Sequence, residues 1–373
     1  MLYGPPARTQ PRPYPLVLEL LESRANKKLL SEYRTETLST LAVLEASQEI
    51  SPSMIDLQPE VQWFMRPFLL DFIVELHQSF KLQPQTLFRC FNIVDRYCAK
   101  RIVFKRHYQL VGCTSLWIAA KYEDKKLRIP TLRELAMMCR NAYDEEMFVQ
   151  MERHILSTLE WLLGKPTLEE CLQVSIDNAE VANEFNTPFR YNSNKGTNSS
   201  STTSAVTAVA RFLCELSLYS RVFLEFELSE VAIAAHMLAS TMIQVPSASQ
   251  AYYRVVRDVQ QERRNQQQDL RVSMNMSTQA MDEENNVPAV HGAFLSGFDL
   301  NTTSNTLRKI SLLFIQALAS VTDVLQNKYK PLGVFDVVQN FVAKHSQLVE
   351  TVGQMQQELT DFESLHYFHF YAV

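Results

Sequence analysis

Apolar residues recur along most of this chain at intervals of three and four, the spacing that lines one face of an α-helix. After Met65, the residues Phe68, Leu69, Phe72, Ile73 and Leu76 form a wide apolar stripe; after Pro84, Leu87, Phe91, Val94 and Cys98 form another. Pro67 and Pro84 suit a first helical turn, where the missing N–H has no helical partner to lose. From about Arg106 to Tyr122 the pattern changes. Leu110, Val111, Gly112, Cys113, Leu116, Trp117, Ile118, Ala119 and Ala120 leave little polar face, which predicts a helix at the centre of a bundle. Thr131-Leu132-Arg133-Glu134 has the Thr-x-x-Glu spacing of a capping box and opens a short helix. Asp144 starts a further helix that ends before Gly164. These five helices, roughly Gln58 to Leu163, predict one bundle, preceded by a helix from about Ser31 to Glu49 that stops near Ser51-Pro52.

A second unit follows on the same principles. Thr167-Leu168-Glu169-Glu170 repeats the capping-box spacing, Val206 to Tyr219 is amphipathic, and Val231 to Ala239 is a small-residue, nearly all-apolar stretch like Leu116–Ala120. Leu307 to Leu325 predicts another helix, and Phe335 to Phe362 a C-terminal helical region. Two polar stretches, Asn183–Ser204 and Gln260–Thr306, hold too few large apolar side chains to offset the entropy of ordering, and are expected as loops or partly disordered inserts. The fold class is therefore all-α, and the repeated small-residue centre hints that the five-helix bundle is duplicated in tandem. A segment 1–57 with one helix comes first, then the bundle 58–164. The second bundle spans 165–350, with inserts near 183–204 and 260–306, and a helical extension covers 351–373.

Composition narrows the function classes. The chain is 46% hydrophobic and 21% charged, ordinary for a soluble globular protein, and its net charge of −5 argues against a general nucleic-acid binder. Only 8 glycines are present, which counts against glycine-rich nucleotide loops and many tight turns. Cys90, Cys98, Cys113, Cys139, Cys171 and Cys214 lie in apolar stretches without a Cys-x-x-Cys pair, and read as small core residues in a reducing compartment. No apolar run approaches the roughly 18 residues that span a bilayer, and the proline-rich N-terminus has no apolar signal core. No membrane association is expected, and a nuclear and cytoplasmic location is. No His-Glu-x-x-His, Gly-x-Ser-x-Gly or P-loop lysine appears. His154 and His236 sit among apolar neighbours as core or interface residues. Glu145-Glu146 belongs to a first helical turn, where the helix dipole favours carboxylates. No metal or cofactor is expected.

Two charges stand out. Lys121 ends the run Leu116-Trp117-Ile118-Ala119-Ala120, and Glu152 lies within Met147-Phe148-Val149-Gln150-Met151-Glu152-Arg153-His154-Ile155-Leu156. Charges on such apolar helices are costly unless paired and hydrogen-bonded. Two readings follow and are compatible: an internal salt bridge between two helices, or a grip on another molecule's backbone.

At these residues a resemblance enters. Met65-Arg66-Pro67-Phe68-Leu69-Leu70-Asp71-Phe72 resembles the opening motif of the cyclin box, and Arg66, Asp95, Leu110, Lys121 and Glu152 match the cyclin signature in type and order. Asp95-Arg96-Tyr97-Cys98-Ala99-Lys100-Arg101-Ile102-Val103 and Gln150-Met151-Glu152-Arg153-His154-Ile155-Leu156 are most similar to fungal G1 cyclins. The resemblance implies two cyclin-type bundles and a non-catalytic regulatory subunit that binds and activates a cyclin-dependent protein kinase at the G1/S transition. It implies that Lys121 and Glu152 hydrogen-bond kinase main chain beside the αC helix, with Ile118, Tyr122, Leu156, Trp161 and Leu163 supplying apolar contact. Arg66 and Asp95 are then a structural ion pair, and Leu110 is core.

Met65, Leu69, Phe72, Glu75 and Gln109 correspond to the patch where many cyclins dock substrates. Here Phe72 replaces the usual Trp, Phe68 a smaller aliphatic and Pro67 a small residue; an apolar helix start packed in the core is the other reading. Thr187-Pro188-Phe189-Arg190 fits a proline-directed phosphorylation site, as it fits an ordinary loop proline. A cyclin serving a nutrient-responsive or transcriptional kinase is an alternative within the family. Outside it, a DNA-binding transcription factor of the TFIIB kind shares the double bundle, but would need a basic face and usually a zinc ribbon, and neither is visible. A terpenoid-synthase-type helical enzyme would need an Asp-rich metal motif, which is missing.

Overall fold

The computed structural model describes residues 15–47, 50–181, 199–243 and 304–345, and among these residues all regular structure is helical. The first unit contains α1 (Leu16–Glu32), α2 (Arg34–Ala46), α3 (Pro52–Asp56), α4 (Arg66–Ser79), α5 (Pro84–Lys100), α6 (Lys105–Glu123), α7 (Leu132–Met138) and α8 (Glu145–Thr158), and reaches to Cys171. A 3₁₀ turn at Trp63–Met65 leads into α4. α5 and α6 form the centre. They pack on one another; α4 and α8 pack on both, and α3 on α5. From Thr86 to Cys98 every side chain of α5 is buried, which matches its place inside the ring. The α4–α6 crossing is close because Gly112 has no side chain. A Cβ there would sit 2.6 Å from Leu69 Cδ1.

Polar groups fasten the unit. Arg66 pairs with Asp95 through both terminal guanidinium nitrogens, one at 2.9 Å, and donates its Nε to the Leu218 carbonyl at 2.6 Å. Gln58 donates to the carbonyls of Cys98 and Arg101, both at 2.6 Å, and accepts from Val103 N at 2.9 Å. Residues 218–229 belong to this unit as well. There Tyr219 donates to Asp71 at 2.7 Å, and Arg221 pairs with Asp56 at 2.7 Å.

Helix ends explain how so few glycines suffice. α4, α7 and α8 each finish in the paired bonds of a Schellman motif: Leu82 N to His77 O with Lys81 N to Gln78 O, Asn141 N to Ala136 O with Arg140 N to Met137 O, and Trp161 N to Leu156 O with Glu160 N to Ser157 O. The left-handed position, usually glycine, is taken by Lys81 (φ 52°), Arg140 (φ 55°) and Glu160 (φ 54°). Helix starts follow the expected code. Thr131 and Glu134 form a capping box at α7, Thr167 and Glu170 exchange the same bonds, and Asp144 accepts from Met147 N at 2.8 Å.

Among the described residues, the second unit takes 172–181, 199–217, 230–243 and 304–345. Its helices are the remainder of α9 (Leu168–Val181), α10 (Ser199–Ser217), most of α11 (Leu228–Met242), α12 (Ser304–Ala317), α13 (Asp323–Tyr329) and α14 (Val334–Lys344). Phe212 of α10 meets Tyr329 and Phe335 edge-on at 5.4 and 5.3 Å, and the buried Glu215 holds Lys328 at 2.6 Å. Val231 to Ala235 of α11 are fully enclosed, and His236 there shares a 2.8 Å hydrogen bond with Ser175. All six cysteines are buried and none forms a disulfide; the Cys113 and Cys139 sulfurs share a 3.5 Å hydrogen bond. No single helix among the described residues is long and apolar enough to cross a membrane.

Several expectations need correction. The single N-terminal helix Ser31–Glu49 is replaced by α1 and α2, which break at Tyr33, followed by α3. α1 escaped notice because Val17, Leu18, Leu20 and Leu21 crowd its start without a clean polar face, and all four are exposed. The polar stretch 183–204 enters α10 at Ser199, since Ser and Thr are well tolerated in a first turn. Likewise 304–306 begin α12. The helix expected over Leu307–Leu325 is divided: Val321 is extended, and Thr322 accepts from Leu325 N to start α13. The rest of both inserts and residues 346–373 lie outside the described residues.

Candidate functional site

The last turn of α6, the middle of α8 and the connector after α8 share one edge of the first unit. α6 ends at Glu123 after presenting Lys121 and Tyr122, and α8 brings Glu152 to Lys121, where the two side chains form an ion pair. Lys121 also lies over the Trp117 ring, 3.4 Å from its centroid. The pair is at the solvent boundary: the Lys121 side chain is 35% exposed and that of Glu152 17%. The expectation of costly burial is corrected accordingly. α6 turns its last charged turn outward while its apolar residues face the bundle. A pair at the solvent boundary stabilises a fold by about 1 kcal/mol, far less than breaking an enclosed one costs. The charges can therefore exchange partners at little cost.

Around this pair the chain displays apolar surface. Tyr122 is 53% exposed, Trp161 68% and Leu162 55%. The expected apolar set is thus brought together in part. Ile118 and Leu156 lie in the core at 2% and 7% exposure, because they fill the seam between α6 and α8, and Leu163 is half-buried. Leu162 takes the outward position that Leu163 was expected to hold. His154 is exposed rather than in the core; it meets Tyr97 edge-on and shares a 2.8 Å hydrogen bond with it.

The connector that carries Trp161 is bound from inside by two arginines of α5. Arg89 donates to the carbonyls of Leu163 and, at 2.9 Å, Lys165, and pairs with Glu123; its guanidinium lies 4.7 Å from the Tyr122 ring centroid. Arg96 donates to the Leu162 carbonyl at 2.7 Å. Burial lowers the Arg96 pKa from its ordinary value, and the neighbouring Arg89 charge adds to that. Neither arginine was singled out from the sequence. The available signal was two guanidiniums seven residues apart on a helix otherwise filled with core residues.

The other expected residues fall as follows. Arg66 and Asp95 form the buried ion pair described above, and Leu110 is core. Met65, Phe72, Glu75 and Gln109 are half-buried, whereas Leu69 lies beneath them against Gly112. The outward residues beside this patch are Phe64 and Phe68, 69% and 73% exposed. Thr187 lies outside the described residues.

Comparison with known proteins reads the same segments. The family description "Cyclin, N-terminal domain" matches residues 36–164, and "Cyclin, C-terminal domain" matches residues 187–291. The chain belongs to the cyclin family. Among similar proteins, the "G1/S-specific cyclin CCN1" of Candida albicans (strain WO-1) is 45% identical over 96% of this chain and 60% of its own length. The "G1/S-specific cyclin CLN2" of Candida albicans is 34% identical over 61% of this chain and 48% of its own length. A solved viral cyclin from herpesvirus saimiri is similar with TM-score 0.48 and 16% identity, covering 75% of this chain and 97% of that one. This cyclin thus spans about 60% of the length of the CCN1 relative it matches.

Proposed function

We propose that this cyclin binds a cyclin-dependent protein kinase catalytic subunit and activates it, acting at the G1/S transition in nucleus and cytoplasm and catalysing nothing itself. Support comes from the relatives, named as G1/S-specific cyclins, and from one structural observation. An exchangeable Lys121–Glu152 pair stands at the rim of the α6–α8 seam, with Tyr122, Trp161 and Leu162 exposed nearby.

In this reading, Lys121 turns from Glu152 to donate to kinase carbonyls, and Glu152 accepts kinase backbone N–H groups. Both anchors lose water as the apolar residues close around them, which strengthens hydrogen bonds that were worth little in the free chain. The rigid bundle then presses the kinase αC helix inward, so that the kinase Lys–Glu ion pair can form. Met65, Phe72, Glu75 and Gln109, with Phe68 beside them, form a separate substrate-docking face.

The test is retention of the kinase catalytic subunit by wild-type chain and by Lys121→Ala/Glu152→Ala. The double variant is expected to lose the kinase while keeping its helical circular dichroism. Full retention by a folded double variant would place the interface elsewhere.

A further inference from the structure

We propose that Arg89 is a positioning residue of the kinase-docking surface, holding Tyr122 and the Trp161–Leu162 turn from within the bundle. The inference rests on the docking reading above and assigns part of it to a side chain that touches no partner. Arg89 is 3% exposed. Its rigid fork of five N–H donors reaches three separate pieces of chain. Nε pairs with Glu123 at the end of α6, Nη1 serves the carbonyls of Leu163 and Lys165, and Nη2 lies 3.4 Å from Glu170 in the first turn of α9. Its guanidinium carbon lies over the Tyr122 ring, 4.7 Å from the centroid. Between the two bound carbonyls sits Gly164, where an added Cβ would stand 3.1 Å from Tyr122 Oη. Tyr122 and the connector are thus seated on each other, with one guanidinium beneath both.

The acceptors separate this arginine from an ordinary structural one. Arg66 meets a single carboxylate on a neighbouring helix and one carbonyl, which ties element to element. Arg89, besides its two carboxylates, binds two main-chain carbonyls of one connector whose preceding residues are strained. Glu160 and Trp161 have φ of 54° and 60°, and each non-glycine residue there costs about 1 kcal/mol. The exposed Trp161 and Leu162 side chains would also gain by folding back onto the chain's own apolar surface. A connector with these two tendencies needs an internal tether to stay open. Arg89 supplies it, helped by the Arg96 bond to the Leu162 carbonyl.

The experiment is a thermodynamic cycle on the full chain, reading its affinity for the recombinant kinase catalytic subunit that wild type retains. Arg89→Met is introduced into wild type and into Trp161→Ala/Leu162→Ala, with circular dichroism melting of each variant. If Arg89 acts through the turn, the substitution weakens binding about tenfold in wild type, and twofold or less once the turn's side chains are gone. Equal losses in both backgrounds would mean a general structural role and overturn the proposal, as would unchanged affinity of a folded Arg89→Met chain. Should Arg89→Met fail to fold, Arg89→Lys carries the same cycle: it keeps a charge for Glu123 but cannot span the carbonyls, and the same non-additivity is expected. A wild-type chain that retains no kinase would defeat the docking reading and this inference together. Retained kinase with equal losses would defeat this inference alone.

Discussion

Arg66 and Lys121 are both paired with carboxylates, yet burial gives the two pairs opposite meanings. The Arg66–Asp95 side chains are 3% and 4% exposed, and the guanidinium is also flanked by Trp63 and Phe91 at 5.6 and 5.3 Å. Asp95→Ala would leave that cation enclosed without its counter-charge, so urea unfolding should show a loss of about 3–5 kcal/mol. Lys121→Ala or Glu152→Ala should cost about 1 kcal/mol or less in the same assay, while kinase retention falls. A Lys121 or Glu152 variant that unfolds as readily as Asp95→Ala would make that pair structural. Lys121 and Glu152 were legible from the sequence, since charge inside an apolar run marks itself, whereas Arg66 and Asp95 came only from the resemblance to the cyclin signature. Leu162 and Arg89 were not legible. Periodicity cannot say which of Leu162 and Leu163 faces outward after a helix has ended. Arg89 takes its partners 34 to 81 residues away.

At the level of the helix, local code and long-range packing divide what could be read. The Thr131–Glu134 and Thr167–Glu170 boxes close within three residues, so the sequence carries them whole. The break of α1 from α2 at Tyr33 and the division of α12 from α13 carry no glycine or proline, and neither was anticipated. The Schellman ends are similarly disguised, because a left-handed lysine or glutamate looks like any surface residue. They also yield a test. Lys81 takes φ 52° at the end of α4 in a motif that glycine fills without steric penalty. Lys81→Gly should therefore raise stability by about 1 kcal/mol, read as a higher urea midpoint with unchanged slope. A lower midpoint would show that the lysine side chain contributes more than its backbone strain costs.

Across the whole molecule, the two-bundle plan was readable because α6 and α11 are both small-residue, nearly all-apolar centres. The polar stretches between helices were legible as interruptions, but not where each one ends. The second unit is expected to lose stability in acid. His236 is 2% exposed within α11, and burial pulls its pKa down to about 3. In the unfolded chain the same imidazole titrates near the ordinary ~6.5. Between those values the unfolded state binds a proton that the folded state refuses, so stability is full above about pH 6.5 and falls as the pH drops. At pH 5 the loss should be about 2 kcal/mol relative to pH 7, and His236→Gln should flatten that part of the profile. An unchanged profile in the variant would assign the acid loss to other groups.

The two consecutive left-handed residues at the end of α8 set heat tolerance against the rigidity of the proposed docking turn. Glycine at position 160 relaxes the backbone there, and a library sorted only for survival at high temperature would enrich Glu160→Gly. The same change adds backbone freedom beside Trp161, on which the proposed docking rests, so a thermal screen of this cyclin is best run beside a binding selection.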